Sequence, residues 1–124
     1  MTVGAWYSRP LFFVADVERA RDFYVGILGF TEKWNFAEDG KLLVAQVNRA
    51  ECEIILCSQW PKKNGKGMLF VSLTDADYAA LSTELSAKGA PVEEGWWGYR
   101  SLIVTDPDGN ELYFPEPNDK GGGA

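Results

Sequence analysis

SRPLFFVADVERARDFYVGILGF, residues 8–30, places an extended apolar run, an acid at a capping position and an amphipathic segment in direct succession, and the rest of the chain is read from it. SRPLFFVAD is extended, and Asp16 then caps a helix whose Val17, Ala20, Phe23, Tyr24, Ile27 and Leu28 fall at helical spacing. Gly29 ends that helix. Three short strand segments follow, TEKWNF (31–36), KLLVAQV (41–47) and ECEIILC (51–57), with Glu38-Asp39-Gly40 as the first turn. The first half therefore reads βαβββ.

The same order returns after the polar stretch PKKNGKG (61–67). MLFVSLT (68–74) is the opening strand, Asp75 is expected as the cap, and Tyr78, Leu81 and Leu85 mark a helix ending at Lys88-Gly89. PVEEGW (91–96), YRSLIVT (99–105) and NELYF (110–114) are the closing strands, with Pro107-Asp108-Gly109 turning between the last two. The pattern predicts an α+β fold of two βαβββ modules, about 8–58 and 68–115, in a single domain over 1–117, with 118–124 as a flexible tail. A generic α+β sandwich with accidentally similar halves is the alternative.

Composition narrows the function. The chain has 124 residues, enough for one core, and its net charge is -6 with no basic run longer than Lys62-Lys63 and nearby Lys66. Nucleic acid and anionic lipid want concentrated positive charge, so neither is an expected partner. Cys52 and Cys57, the only cysteines, are an odd number of residues apart on one strand and point to opposite faces, which excludes a mutual disulfide. With no disulfide framework, signal-like segment or long apolar run, a cytoplasmic location is expected. There is no histidine, so the usual serine–histidine and cysteine–histidine nucleophiles are excluded.

RPLFFVADVERARDFYVGILGF, WWGYRSLIVTDPDGNELYF and the spacing between them resemble the glyoxalase, bleomycin-resistance and extradiol-dioxygenase group, the vicinal oxygen chelate superfamily. The resemblance runs from about Ser8 to Phe114 and implies curled mixed sheets with helices outside, a cup-shaped pocket and a homodimer. In the family's metalloenzymes four strand positions carry the ligands; here those positions are Arg9, Ile55, Met68 and Tyr113. Arginine repels a cation, isoleucine has no donor atom, and methionine and tyrosine are unusual for zinc or iron. Neither a metal nor another cofactor is therefore expected. Glu53 and Glu111 each lie two residues from one of these positions, where a carboxylate pairs with Arg9 or faces solvent more readily than it completes a metal site.

The positive signal is aromatic: five tryptophans in 124 residues. Trp96-Trp97-Gly98 resembles the Trp-Gly loop of bleomycin-resistance members, with Arg100 kept and Ser101 in place of a glutamate. Each tryptophan taken singly fills a core or an interface as readily as it meets a ligand. Pro10 matches a proline of members whose N-terminal arm crosses to the partner, and equally suits an edge strand. Phe23 and Tyr24 read as core anchors. The expected site stacks a planar or cationic ligand on Trp34, Trp60, Trp96, Trp97, Tyr99 and Tyr113, over a floor of Phe13, Ile55 and Met68, with Arg9 and Glu53 or Glu111 as polar anchors. The expected activity is metal-independent sequestration of a drug-like molecule, as in antibiotic resistance. The alternative is a lyase, isomerase or dioxygenase using carboxylate acid–base chemistry or an atypical metal site.

Overall fold

The computed structural model describes residues 6–90, 92–96 and 100–117, with Glu94, Trp96 and Arg100 as backbone only. Its elements run β1 (Leu11–Phe13), α1 (Val17–Gly26), β2 (Thr31–Glu38), β3 (Lys41–Arg49), β4 (Cys52–Cys57), a single 3-10 turn (Pro61–Lys63), β5 (Met68–Phe70), α2 (Asp75–Ala87), β6 (Val92–Trp96), β7 (Arg100–Thr105) and β8 (Glu111–Pro115). This is the βαβββ order written twice. The Asp16 side chain accepts from the Arg19 N–H at 3.1 Å, satisfying one orphan donor of α1. Past its C-terminus Gly29 takes φ 72°, a left-handed value that a Cβ would strain.

In the second module the cap is one residue earlier than the sequence pattern suggests. Thr74 is extended and its hydroxyl accepts from Asp77 N–H at 3.2 Å, while Asp75 is already helical. Asp75 and Asp77 sit instead in the first turn, where the helix dipole favours negative charge. The opening strands are also shorter than the apolar runs that contain them. After Val71 donates its N–H to Tyr113 O at 2.8 Å, residues 72–74 leave the sheet to reach that cap.

Each module forms a four-stranded mixed sheet, ordered β1-β4-β3-β2 in the first and β5-β8-β7-β6 in the second. The β1–β4 and β5–β8 pairs are parallel and the remaining pairs antiparallel. Alternation assigns the faces. Phe12, Ala45, Val47, Ile54 and Leu56 of the first sheet, with Val104, Leu112 and Phe114 of the second, join Tyr24 and Leu28 of the α1 region and Leu81 and Leu85 of α2 in one core. Among the described residues no helix covers the opposite face of either sheet, the open face. Cys52 packs against the core while Cys57 is buried on the other side of β4, and both are free, in keeping with their odd separation.

One irregularity redirects a key side chain. Glu32 pairs with Val47, so strict alternation would place Trp34 opposite Ala45 on the core side. A register shift between Glu32 and Trp34 pairs Trp34 with Gln46 instead and turns the indole to the open face. Glu32 stays on the helix side, where its carboxylate accepts from Arg21 Nη1 at 3.2 Å.

The DPDGN turn locks the two modules together. Ala15 N–H donates to Asp108 Oδ1 at 2.9 Å, and Arg19 Nη2 to Pro107 O at 3.0 Å. Asn110 is fully buried; its Nδ2 donates to Phe13 O at 3.2 Å and its Oδ1 accepts from Gly67 N–H at 2.7 Å. The tail over 118–124 lies outside the described residues. Among the described residues no helix is long and apolar enough to cross a membrane.

Candidate functional site

On the open face of the first sheet a buried amide organises the polar groups. Gln46 is 2% exposed although it stands in the apolar run of β3. Its Oε1 accepts from Trp34 Nε1 at 2.7 Å and from Arg9 Nη1 at 3.2 Å. Its Nε2 donates to Asn48 Oδ1 and to Glu53 Oε1, each at 3.0 Å. Two acceptor and two donor places are all a carboxamide has, so the group is saturated and its orientation is fixed. Flipping it would set an NH2 against an indole N–H and a guanidinium.

Arg9 and Glu53 are therefore joined through Gln46. Of the two expectations for the carboxylates, pairing with Arg9 or exposure to solvent, the direct pairing is not seen: among the described residues there is no ion pair between Arg9 and either Glu53 or Glu111. A neutral amide that satisfies both ends spares the two charges the desolvation that close contact would require. Tyr7 completes the cluster: its hydroxyl donates to Glu53 Oε1, and Arg9 lies over its ring at 4.9 Å from the centroid. The hydrogen bond to Glu53, followed by burial, raises the phenol above its ordinary value and keeps it protonated as a donor. Both of these bonds to Glu53 end on Oε1, which leaves Oε2 directed to no partner among the described residues.

Further along the same face, Phe13 meets Trp60 edge to face with centroids 5.8 Å apart. Lys63 Nζ stands over both rings, at 5.4 and 5.9 Å. Ile55, paired with Leu11 across β1 and β4, lies between this aromatic group and the Gln46 cluster.

The open face of the second sheet is simpler. Met68 and Phe70 on β5 pair with Glu111 and Tyr113 on β8. Phe70 stacks on Tyr113 at 6.0 Å with ring planes 22° apart, and Tyr113 OH donates to Glu111 Oε1 at 3.2 Å. Burial first, then that bond and the Glu111 and Glu93 charges, push the Tyr113 phenol above its ordinary value. Ser101 and Ile103 share this face with Tyr113; Ile103 Cδ1 fills the space beside Gly95, where a Cβ would come within 2.7 Å of it.

Of the twelve side chains expected at the site, Arg9, Phe13, Trp34, Glu53, Ile55 and Trp60 thus gather on or beside the first sheet, and Met68, Glu111 and Tyr113 on the second. Trp96 pairs with Arg100 at the end of β6, and Trp97 and Tyr99 lie outside the described residues. Tyr7, Gln46 and Asn48 complete the cluster and were not expected. A lone glutamine inside the apolar run LLVAQV of β3 is the signal from which it could have been read.

The four family ligand positions do not fit a metal. Arg9 is a hydrogen-bonded cation, Ile55 has no donor atom, Met68 is an exposed thioether, and Tyr113 holds its proton. Among the described residues no three histidine, cysteine, aspartate or glutamate side chains converge on one point.

No curated protein matches the sequence. Among solved structures, TnmS3, an antibiotic binding protein from Streptomyces sp. CB03234, superposes with a TM-score of 0.70 at 24% identity over 92% of this chain and 98% of its own. A glyoxalase/bleomycin resistance protein from the same Streptomyces is 28% identical, with a TM-score of 0.64 over 87% of this chain and 99% of its own. The bleomycin-binding protein from Streptomyces verticillus, solved with copper(II)-bleomycin, gives 0.68 at 24% identity over 91% and 97%. Lactoylglutathione lyase from Agrobacterium tumefaciens gives 0.67 at 18% over 90% and 94%, so the fold alone does not separate binder from enzyme. A family model matches residues 6–114, and the chain belongs to the Glyoxalase/Bleomycin resistance protein/Dioxygenase superfamily.

Proposed function

We propose that this protein is a metal-independent small-molecule binder that sequesters a planar, drug-like ligand on its open faces. The observation that carries the reading is the Gln46 cluster. It holds Trp34 by its indole N–H while leaving the ring 41% exposed, with Arg9 and Glu53 fixed beside it. A ring pinned at its edge and bare on its face suits stacking, because little side-chain entropy remains to be lost on binding.

Leu11, Trp34, Phe36, Met68 and Phe70 all lie on open faces and are 41 to 55% exposed. Large apolar side chains left bare on a sheet face favour a further surface that covers them. Our reading is a homodimer in which open faces meet and enclose the ligand, with one domain over 1–117 in each subunit. The net charge of -6 and the free Oε2 of Glu53 favour a ligand with a cationic or N–H donor group. Glycopeptide drugs of the bleomycin type are the first to try.

The test is a tryptophan-quenching titration against a panel of planar cationic and neutral drugs, on protein stripped of metal and then supplied with zinc, manganese or iron. Saturable quenching at one ligand per site without metal, weakened in W34F, is the expected result. Stoichiometric metal retention with ligand binding only in its presence would overturn the proposal in favour of the enzyme reading. Sedimentation of the free protein checks the dimer.

A further inference from the structure

A second cavity lies on the helix side of the sheets, away from the open faces. Its volume is about 120 Å³, and its floor is formed by Leu28, Phe30, Leu81 and Phe114, all buried. The first two follow α1 and the last two belong to α2 and β8, so the void sits at the seam where the modules meet. The half-buried Cys52 thiol and Leu73 line its wall. Engineered apolar cavities of about 150 Å³ stay dry and accept benzene, so a void of this size and lining suits one ring.

Two charged residues border the cavity, and only one of them is free. Arg49 is engaged three times, donating from Nη1 to Leu28 O at 2.7 Å and to Glu84 Oε1 at 3.0 Å, and from Nη2 to Glu84 Oε2 at 3.2 Å. Its charge is neutralised by that two-point pair. Asp77 has no ion-pair partner among the described residues and is solvent-exposed, so the net charge at the mouth is negative. The wider cleft beside the cavity shares Cys52, Leu73 and Asp77 with it and extends to Glu53 and Phe70 at the margin of the open faces, so a ligand enters from that margin while the cavity floor stays on the helix side.

We propose that this cavity is a second ligand site, separate from the open faces, for a single aromatic ring or a compact branched chain bearing a protonated amine. The ring fills the floor and the ammonium faces Asp77. Among the described residues no tryptophan lines the cavity, so its occupation is read by a different signal from that of the Trp34 site.

That signal is Cys52. Its modification by methyl methanethiosulfonate, followed by mass spectrometry with the buried Cys57 as internal reference, is measured with benzylamine, toluene and benzoate, three probes of one size and different charge. Benzylamine at ten times its dissociation constant is expected to slow the Cys52 reaction about ten-fold, with toluene weaker and benzoate weakest. D77N, an exposed change, should bring benzylamine to within about three-fold of toluene, the range of a solvent-screened charge. L81F fills the floor and should remove the effect of every probe; L73F, at the wall, does the same should L81F fail to fold. An unchanged Cys52 rate with all three probes in the folded wild-type protein overturns the site. Equal protection by benzoate and benzylamine overturns its charge preference. Neither result touches quenching at Trp34.

Discussion

The Tyr24 hydroxyl donates to Asp106 Oδ2 at 3.0 Å, a buried bond between the helix of the first module and the last turn of the second. Asp106 accepts four further bonds: from the N–H groups of Asp108 (2.9 Å), Gly109 (3.0 Å) and Asn110 (2.9 Å), and from Asn110 Nδ2 (3.0 Å). One carboxylate thereby shapes the turn and anchors it to α1.

Removing either partner should show that asymmetry. D106A strands several buried donors and is expected to cost about 3–5 kcal/mol, whereas Y24F removes one donor from a carboxylate that keeps four and should cost about 1–2 kcal/mol. Urea unfolding of the two variants measures the difference.

The pH dependence follows from two groups with opposite shifts. Burial, then the Asp106 charge, raise the Tyr24 phenol far above its ordinary 10.0, so its contribution is intact below that value and falls as pH rises past it. Alkaline unfolding should begin near there, with a shallower slope in Y24F. The hydrogen bond from Arg49 lowers Glu84 below its ordinary 4.5, so the contribution of Glu84 is present above 4.5 and is lost as pH falls through the lowered value. E84Q should flatten the acid limb slightly, because the pair is partly exposed.

Gly67 tests the close approach of the modules. A Cβ there would come within 2.7 Å of Phe12 Cδ1 and 2.9 Å of Asn110 Oδ1, both fully or nearly buried. G67A is expected to destabilise by about 1–3 kcal/mol through overpacking, measured as a shift in the urea midpoint. G26A, where no atom lies within 4 Å of the new Cβ, is the control and should stabilise α1 slightly.

Gln46 is testable without a ligand. Q46L removes the acceptor of the Trp34 indole N–H and should move that proton's NMR resonance toward a solvent-exposed position. Q46E keeps the acceptor and should leave it nearly in place, while setting a second carboxylate against Glu53. Both variants should weaken quenching by ligand about ten-fold or more, since one loses the edge anchor and the other disturbs the Glu53 donor site.

The two-module plan was legible because it is carried by local chemistry: Asp16 as a cap, Gly29 and Gly89 past the helix ends, and strands whose alternation matches the buried face. The second cap was misplaced by one residue because Thr74 and Asp75 both favour that role, and only the path of the chain leaving β5 chooses between them. DPDGNELYF announced its turn but not its partners in the first module, which lie 82 and more positions away.

The amino-acid order by itself determined the element sequence and the lack of imidazole, since these depend on nearest neighbours and composition. The tertiary structure alone decided that Trp34 faces outward and that a glutamine mediates between Arg9 and Glu53. The first depends on one extra residue in β2, which reverses the alternation. The second depends on β1, β3 and β4 coming side by side, a pairing that periodicity within any single strand does not contain.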